Sequence, residues 1–234
     1  RDRSPSRGLG DVYKRQIMDN SLHELGEAYD YDRLRYWVNE LQPNEFIVPD
    51  VWMNCSQTAA QAKYWRQFKY PKKTKLTAVI QGENKNQAYL CANLLAELGY
   101  DKLCVSYGAT WYNDFFPHSN PDMGKALGRV RFVQGLLNLK QLKDIKFHLL
   151  GCSIPQEFGW YDDGFQSRIE SIDTSNPVMA ALDGTRYNSN GMNYKPNANM
   201  NDFFDIKYED INYFDVLYNT TKFREINNLK TKQL

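Results

Sequence analysis

Short apolar runs recur along this chain, and each one stops on a polar residue or a glycine. Ile17-Met18 runs into Asp19 and Phe46-Ile47-Val48 into Asp50. Ala78-Val79-Ile80 runs into Gln81-Gly82, and Leu103-Cys104-Val105 into Ser106. Phe147–Leu150 ends at Gly151, and the run holding Ile169 and Ile172 ends at Asp173. Runs this short, bounded by turn-forming residues, read as buried strands. Segments with helical spacing lie between them. Strands alternating with helices imply parallel pairing through right-handed crossovers. Runs that are apolar throughout suit strands covered on both faces. The chain therefore reads as an α/β fold in which every strand's C-terminal end faces the same side.

The intervening segments support this. Asp32 can cap a helix with Leu34, Trp37, Val38 and Leu41 on one face, broken by Pro43-Asn44. Ser56 opens the next, through Ala59, Ala60, Trp65 and Phe68, and Pro71 ends it. From Asn86, the residues Leu90, Cys91, Leu94, Leu95 and Leu98 follow helical spacing until Gly99. A long aromatic loop, Gly108–Gly124, precedes a helix expected over Lys125–Leu139. A short helix from Pro155 and another over Pro177–Leu182 complete the series. Beyond Gly184, residues 185–234 read as an Asn-rich loop and a C-terminal helix over Asp210–Asn228. That helix is expected to turn Ile211, Phe214, Leu217 and Tyr218 inward.

Residues 1–16 have no hydrophobic period and resemble a translated sequencing-adapter peptide at the end of a metagenomic reading frame. The expected division is thus a non-native segment at 1–16, a barrel-like domain at 17–184 and a C-terminal appendage at 185–234. At 234 residues the chain fits one domain, since α/β barrels need roughly 250. Lys+Arg 29 against Asp+Glu 28 leaves a formal charge of +1, so any nucleic-acid binding must come from local patches. The four cysteines show no metal-ligand spacing and read as reduced thiols of a cytoplasmic protein. No apolar run approaches the ~20 residues of a membrane span. Neither a metal nor a redox cofactor is expected.

If the strands are adjacent, Asp19, Asp50, Gln81, Ser106 and Asp173 converge although they are far apart in sequence. α/β barrels place catalytic groups at such strand ends. The set holds carboxylates and an amide, with no His-Ser or His-Cys arrangement. That chemistry suits a carboxylate nucleophile, a carboxylate acid/base or a purine-like ligand. One carboxylate can attack a sugar C1′ while another manages protons.

The strand ends resemble those of the tRNA-guanine transglycosylase superfamily, which includes phage and bacterial relatives that place 7-deazaguanines in DNA. Met18-Asp19-Asn20-Ser21 resembles the family's T-D-S-G, and Val48-Pro49-Asp50 resembles its strand ending in a base-recognising Asp. Ala78–Gly82 matches I-V-Q-G, and Val105-Ser106-Tyr107-Gly108 falls where the family offers backbone groups to the base. His148-Leu149-Leu150-Gly151 resembles Y-L-M-G, and Asp173 with Pro177 four residues on matches D-C-V-L-P.

The resemblance covers residues 17–184. It implies a TIM-type (β/α)8 barrel, incomplete because two N-terminal strands of the family are missing. Asp173 would be the nucleophile and Asp19 the proton-handling group. Asp50, Gln81, Gly82, Ser106, Tyr107, Gly108, His23, Leu150 and Gly151 would line the base site. The implied partners are DNA or tRNA and a preQ0-like 7-deazaguanine, in an assembly that could be a homodimer. The family's C-x-C-x-x-C zinc site is absent, and Met179 stands where its tRNA enzymes carry a phosphate-holding Arg. Both departures favour the DNA-modifying branch.

Nucleic-acid contacts are expected from Trp111 in the aromatic loop and from Lys125, Arg129 and Arg131 at the start of the following helix. Two rival readings use the same residues. One is a barrel hydrolase of glycosidic bonds. The other is a non-catalytic nucleic-acid-binding subunit, which the retained Asp173 disfavours.

Overall fold

The computed structural model describes residues 15–20, 30–161, 167–198, 200–203 and 205–229; His23 lies outside them. Six strands form one sheet in the order of the chain: β1 (Ile17–Met18), β2 (Glu45–Ile47), β3 (Lys75–Val79), β4 (Lys102–Ser106), β5 (Lys146–Leu150) and β6 (Ile169–Asp173). Every neighbouring pair is parallel. The sheet curls into a half-barrel, compatible with an incomplete TIM-like barrel. All six apolar runs are strands, adjacent and in the expected order.

Because side chains alternate across a strand, the sheet has two differently filled faces. Phe46, Val48, Ala78, Ile80, Leu103, Val105, Phe147 and Leu149 join the large core beneath the helices. The helices packed there are α1 (Tyr31–Leu41), α2 (Cys55–Trp65), α3 (Lys85–Glu97) and α5 (Pro121–Leu137), with the short α4 (Tyr112–Phe115) before α5. Ile47, Val79 and Cys104 form a second, smaller apolar layer on the concave face, with Ile17 and Leu150 against it.

Below that layer the concave face is charged. Lys102 Nζ lies 2.7 Å from Glu45 and 3.0 Å from Glu170. These residues come from β2, β4 and β6, the alternate-strand layering of barrel interiors. Arg15, just before β1, pairs with both Glu45 and Glu170 and so ties one sheet edge to the other. Gln16 N–H donates to Asn44 Oδ1 at 2.9 Å. Arg15 and Gln16 therefore pack against the sheet, although sequence assigned them to the leading segment.

Side-chain caps set where the helices begin. Asp30 accepts from the Arg33 amide and Asn54 from that of Gln57, each two residues before the cap expected from sequence. Asn120 accepts from the amides of Asp122 and Met123, and Pro121 occupies the first turn. As a result α5 starts four residues earlier than its spacing suggested. Pro121 and Gly124 are helical rather than loop residues, and α4 lies within the supposed aromatic loop.

Beyond α6 (Asn176–Leu182), the C-terminal helix, α7 (Tyr213–Ile226), reverses its expected orientation. It buries Asp215, Asn219 and Phe223 and leaves Phe214, Leu217 and Tyr218 exposed. Phe223 meets the Phe158 ring in the core, with ring centres 5.8 Å apart, but Asn219 packs against backbone. Asn219 Oδ1 accepts from Tyr187 N–H at 2.9 Å, and its Nδ2 donates to Thr185 O at 2.9 Å. Asp215 pairs with Arg186. On α1 and α3, Trp37, Leu41 and Leu90 are likewise exposed rather than inward.

Arg129 is fully buried on the inner side of α5. Its Nε donates to Glu157 at 2.5 Å, its Nη1 to Leu150 O at 2.9 Å and its Nη2 to Gly151 O at 2.7 Å. Glu157 sits in a 3-10 turn, Pro155–Trp160, after β5. Removing one member of a buried ion pair leaves an uncompensated charge, at a cost of about 3–5 kcal/mol. Arg129→Met should therefore lower the urea unfolding free energy by about that much. A loss under about 1 kcal/mol would mean the pair does not brace the end of β5.

Candidate active site

Two carboxylates at the strand ends sit in contrasting environments. Asp50, just beyond β2, is buried between two amides. Its Oδ1 accepts from Asn20 Nδ2 at 2.8 Å and its Oδ2 from Gln81 Nε2 at 2.6 Å. The orientation of both amides is fixed elsewhere. Asn20 Nδ2 also donates to Val48 O at 3.1 Å, and Gln81 Oε1 accepts from Met53 N–H at 2.9 Å. Burial pushes the Asp50 carboxyl up to about 6; the Gln81 and Asn20 hydrogen bonds oppose that rise, and nearby Asp19 adds to it. A carboxylate has about four acceptor positions, so Asp50 retains capacity for a ligand N–H.

Asp173, at the end of β6, is open instead, with its side chain 59% exposed. Its Oδ1 accepts from Gly151 N–H at 2.8 Å, and its Oδ2 faces His148 Nε2 at 3.9 Å. Burial of the group raises its pKa, but His148 and the Gly151 amide outweigh that and hold it below the ordinary carboxylate value. Asp173 is therefore an anion at neutral pH, whereas Asp50 titrates near it.

Gly151 has φ +61°, and a Cβ there would come within 2.5 Å of the Tyr107 ring, so the position demands glycine. Lys125 and Lys195 flank that ring, with Nζ atoms 5.2 Å and 4.9 Å from its centre. Lys195 Nζ also donates to Tyr107 Oη at 3.0 Å. Burial and the neighbouring Lys195 push the Lys125 amine down. Two ammonium groups held this close form an anion-attracting corner beside Gly151 and Asp173.

Asp19 follows β1 and is exposed; its Oδ1 accepts from Asn20 N–H at 2.8 Å. The Cys104 thiol, buried in the concave face, is raised by burial, and Asp19 and Asp173 each raise it further. The ends of the first and last strands thus act on the same interior residue. Leu150 pairs in register with both Ser106 and Asp173. Ser106 Oγ accepts from Gly108 N–H at 3.1 Å, shaping the turn after β4. Gly82 O accepts from Trp111 Nε1 at 3.0 Å.

Three of the expected nucleic-acid contacts lie elsewhere. Trp111 is buried against Tyr112 and Phe132, its N–H already used, so it has no open face for stacking. Arg129 is buried in its pair with Glu157. Arg131 lies roughly 15 Å along α5 from the strand-end side, over the Phe115 ring. Lys125 alone of that cationic set is near the site.

Sequence reading missed Asn20, Lys195 and Trp52. Trp52 is 44% exposed, two residues after Asp50. A Cβ at Gly108 would lie 2.5 Å from its ring, so glycine lets this indole settle over the turn after β4. An aromatic residue two positions after a strand-end carboxylate was the available signal. Among the described residues, no three His, Cys, Asp or Glu side chains gather as a metal site. No helix is long and apolar enough to cross a membrane among those residues.

The raised Asp50 value makes a pH prediction with a definite sign. The folded state holds its proton up to about pH 6, whereas the ordinary value is 3.8. Between those values the folded state binds more protons, so this group's contribution to stability falls as pH rises. The shift corresponds to about 3 kcal/mol. Relative to Asp50→Asn, the wild type should lose about that much stability between pH 4 and 7, measured by urea denaturation. Parallel pH profiles for the two proteins would contradict a buried, titrating Asp50.

Comparison with family models and with curated proteins finds no match for this chain.

Proposed function

We propose that this chain is a base-exchanging nucleic-acid transglycosylase built on an incomplete TIM-type barrel. It replaces guanine by a preQ0-like 7-deazaguanine in DNA or tRNA through a covalent aspartyl intermediate. The observation that carries this reading is the contrast between Asp50 and Asp173 at the ends of one parallel sheet. Asp50 is buried and locked to Gln81, while Asp173 is open and anionic. A base with adjacent N–H donors suits the first, and a sugar carbon suits the second.

In this mechanism Asp50 and Gln81 hold the base. An Asp173 oxygen forms a bond to the ribose or deoxyribose C1′ as the C1′–N9 bond to guanine breaks. The departing guanine nitrogen takes a proton delivered through Asp19. The incoming 7-deazaguanine gives its N9 proton back to Asp19. Its nitrogen then bonds to C1′ as the ester bond to Asp173 breaks, which regenerates the carboxylate. Charge and atoms balance without a redox partner. Trp52 offers an open ring for a base, and Lys125 with Lys195 offers positive charge for the flanking phosphates.

The test is exchange of labelled guanine into DNA and tRNA, which also separates the two substrates. Asp173→Asn keeps the shape but removes the anionic nucleophile, so exchange should fall about a thousandfold or more while base binding largely survives. Exchange by Asp173→Asn at the wild-type rate would overturn the reading.

A further inference from the structure

The concave face contains a polar chain that the exchange mechanism does not use. It runs from the charged layer at the bottom of the sheet to Asp173 at the top. Lys102 Nζ, held by Glu45 and Glu170, donates to Ser171 Oγ at 2.9 Å. Ser171 Oγ lies 2.8 Å from His148 Nδ1. His148 is 1% exposed. Its Nε2 has no hydrogen-bond partner among the described residues and points at Asp173 Oδ2, 3.9 Å away. A buried imidazole nitrogen without a partner is costly unless something completes it.

The direction of this chain follows from the chemistry of its first member. An ammonium group only donates, so Ser171 Oγ accepts from Lys102. The Ser171 hydroxyl hydrogen is then free to be donated to His148 Nδ1. A neutral imidazole that accepts at Nδ1 carries its proton on Nε2. That N–H faces Asp173 Oδ2, 3.9 Å away, and has no hydrogen-bond partner among the described residues. The other Asp173 oxygen is fixed by the Gly151 amide.

We propose that His148 is a positioning residue for Asp173. It is held as the Nε2–H tautomer by Lys102 and Ser171, and it aims the carboxylate that the proposed exchange uses. Closing the gap by about 1 Å brings the pair to hydrogen-bond distance. The inference rests on the reading of Asp173 as the reacting carboxylate, but its physical content, a coupled His148–Asp173 pair, is measurable without turnover. The other titratable and charged groups around His148 are Cys104, its register partner on β4, and Lys102 with Glu45 and Glu170 below; Asp19 acts on that Cys104 from the end of β1.

The experiment is NMR of the full chain, labelled with nitrogen-15 at histidine and carbon-13 at aspartate. In the wild type, His148 should show the Nε2–H tautomer, and Ser171→Ala should remove that preference. His148→Phe should raise the Asp173 titration midpoint by about one pH unit. His148→Gln keeps an N–H near the Nε2 position and should restore the midpoint. Should His148→Phe fail to fold, Asp173→Asn decides, by moving the His148 Nε2–H resonance, which then no longer faces a carboxylate. In the exchange assay, kcat should fall with His148→Phe and recover with His148→Gln, with KM for the base unchanged. An Nδ1–H tautomer in the wild type, or an Asp173 midpoint indifferent to residue 148, would overturn the proposal. If the wild type exchanges no base but the coupled titration is found, the exchange reading fails and the His148–Asp173 pair stands.

Discussion

A sheet covered on both faces can carry polar groups only at its strand ends or in mutually satisfied sets within it. Desolvating an unpaired amide or hydroxyl costs on the order of 1–3 kcal/mol, and an unpaired charge costs far more. Both solutions occur here. Glu45, Lys102, Glu170 and Arg15 satisfy one another at the bottom of the concave face. Ile47, Val79 and Cys104 make a dry layer above them. At the top, Asp19, Asp50, Gln81 and Asp173 stand where strands give way to turns. Parallel pairing in chain order then gathers groups more than 150 positions apart onto one rim.

The rim does not treat its carboxylates alike. Asp50 is buried between Asn20 and Gln81 and holds its proton up to about pH 6. Asp173 is open to solvent and is held below the ordinary carboxylate value by His148 and the Gly151 amide. Environments that push two like groups in opposite directions are a usual way for one chemical group to take two roles. The supporting structure lies behind them. Arg129 holds the carbonyls of Leu150 and Gly151 from below, and Gly151 admits Tyr107 where a side chain could not fit.

The strands and their order were legible because short apolar runs ending on polar residues carry both period and direction. The strand-end placement of Asp50, Gln81 and Asp173 was legible for the same reason. The surface was not. Trp111 has the composition of a stacking residue, but its N–H is used by Gly82 O inside the core. Arg129 looked like a phosphate contact, but α5 starts at Pro121, and this places the guanidinium against the sheet. On α7, Asn219 packs against the backbone of the 185–187 loop and Asp215 against Arg186, so polar residues share the buried face with Phe223 and hydropathy points the wrong way. His148 sits inside an apolar run, and only the three-dimensional path through Ser171 to Lys102 gives it a chemical role.

The central claim is that Asp173 becomes bonded to a sugar carbon. Its most direct measurement is the denatured intact mass of the chain after incubation with a guanine-containing oligonucleotide. The account predicts a species heavier by the oligonucleotide less one guanine, with the link mapped to Asp173 by peptide sequencing. That species should be lost on adding 7-deazaguanine and never form with Asp173→Asn. An adduct mapped to another residue, or base exchange that proceeds with no adduct detectable at any time, would contradict it.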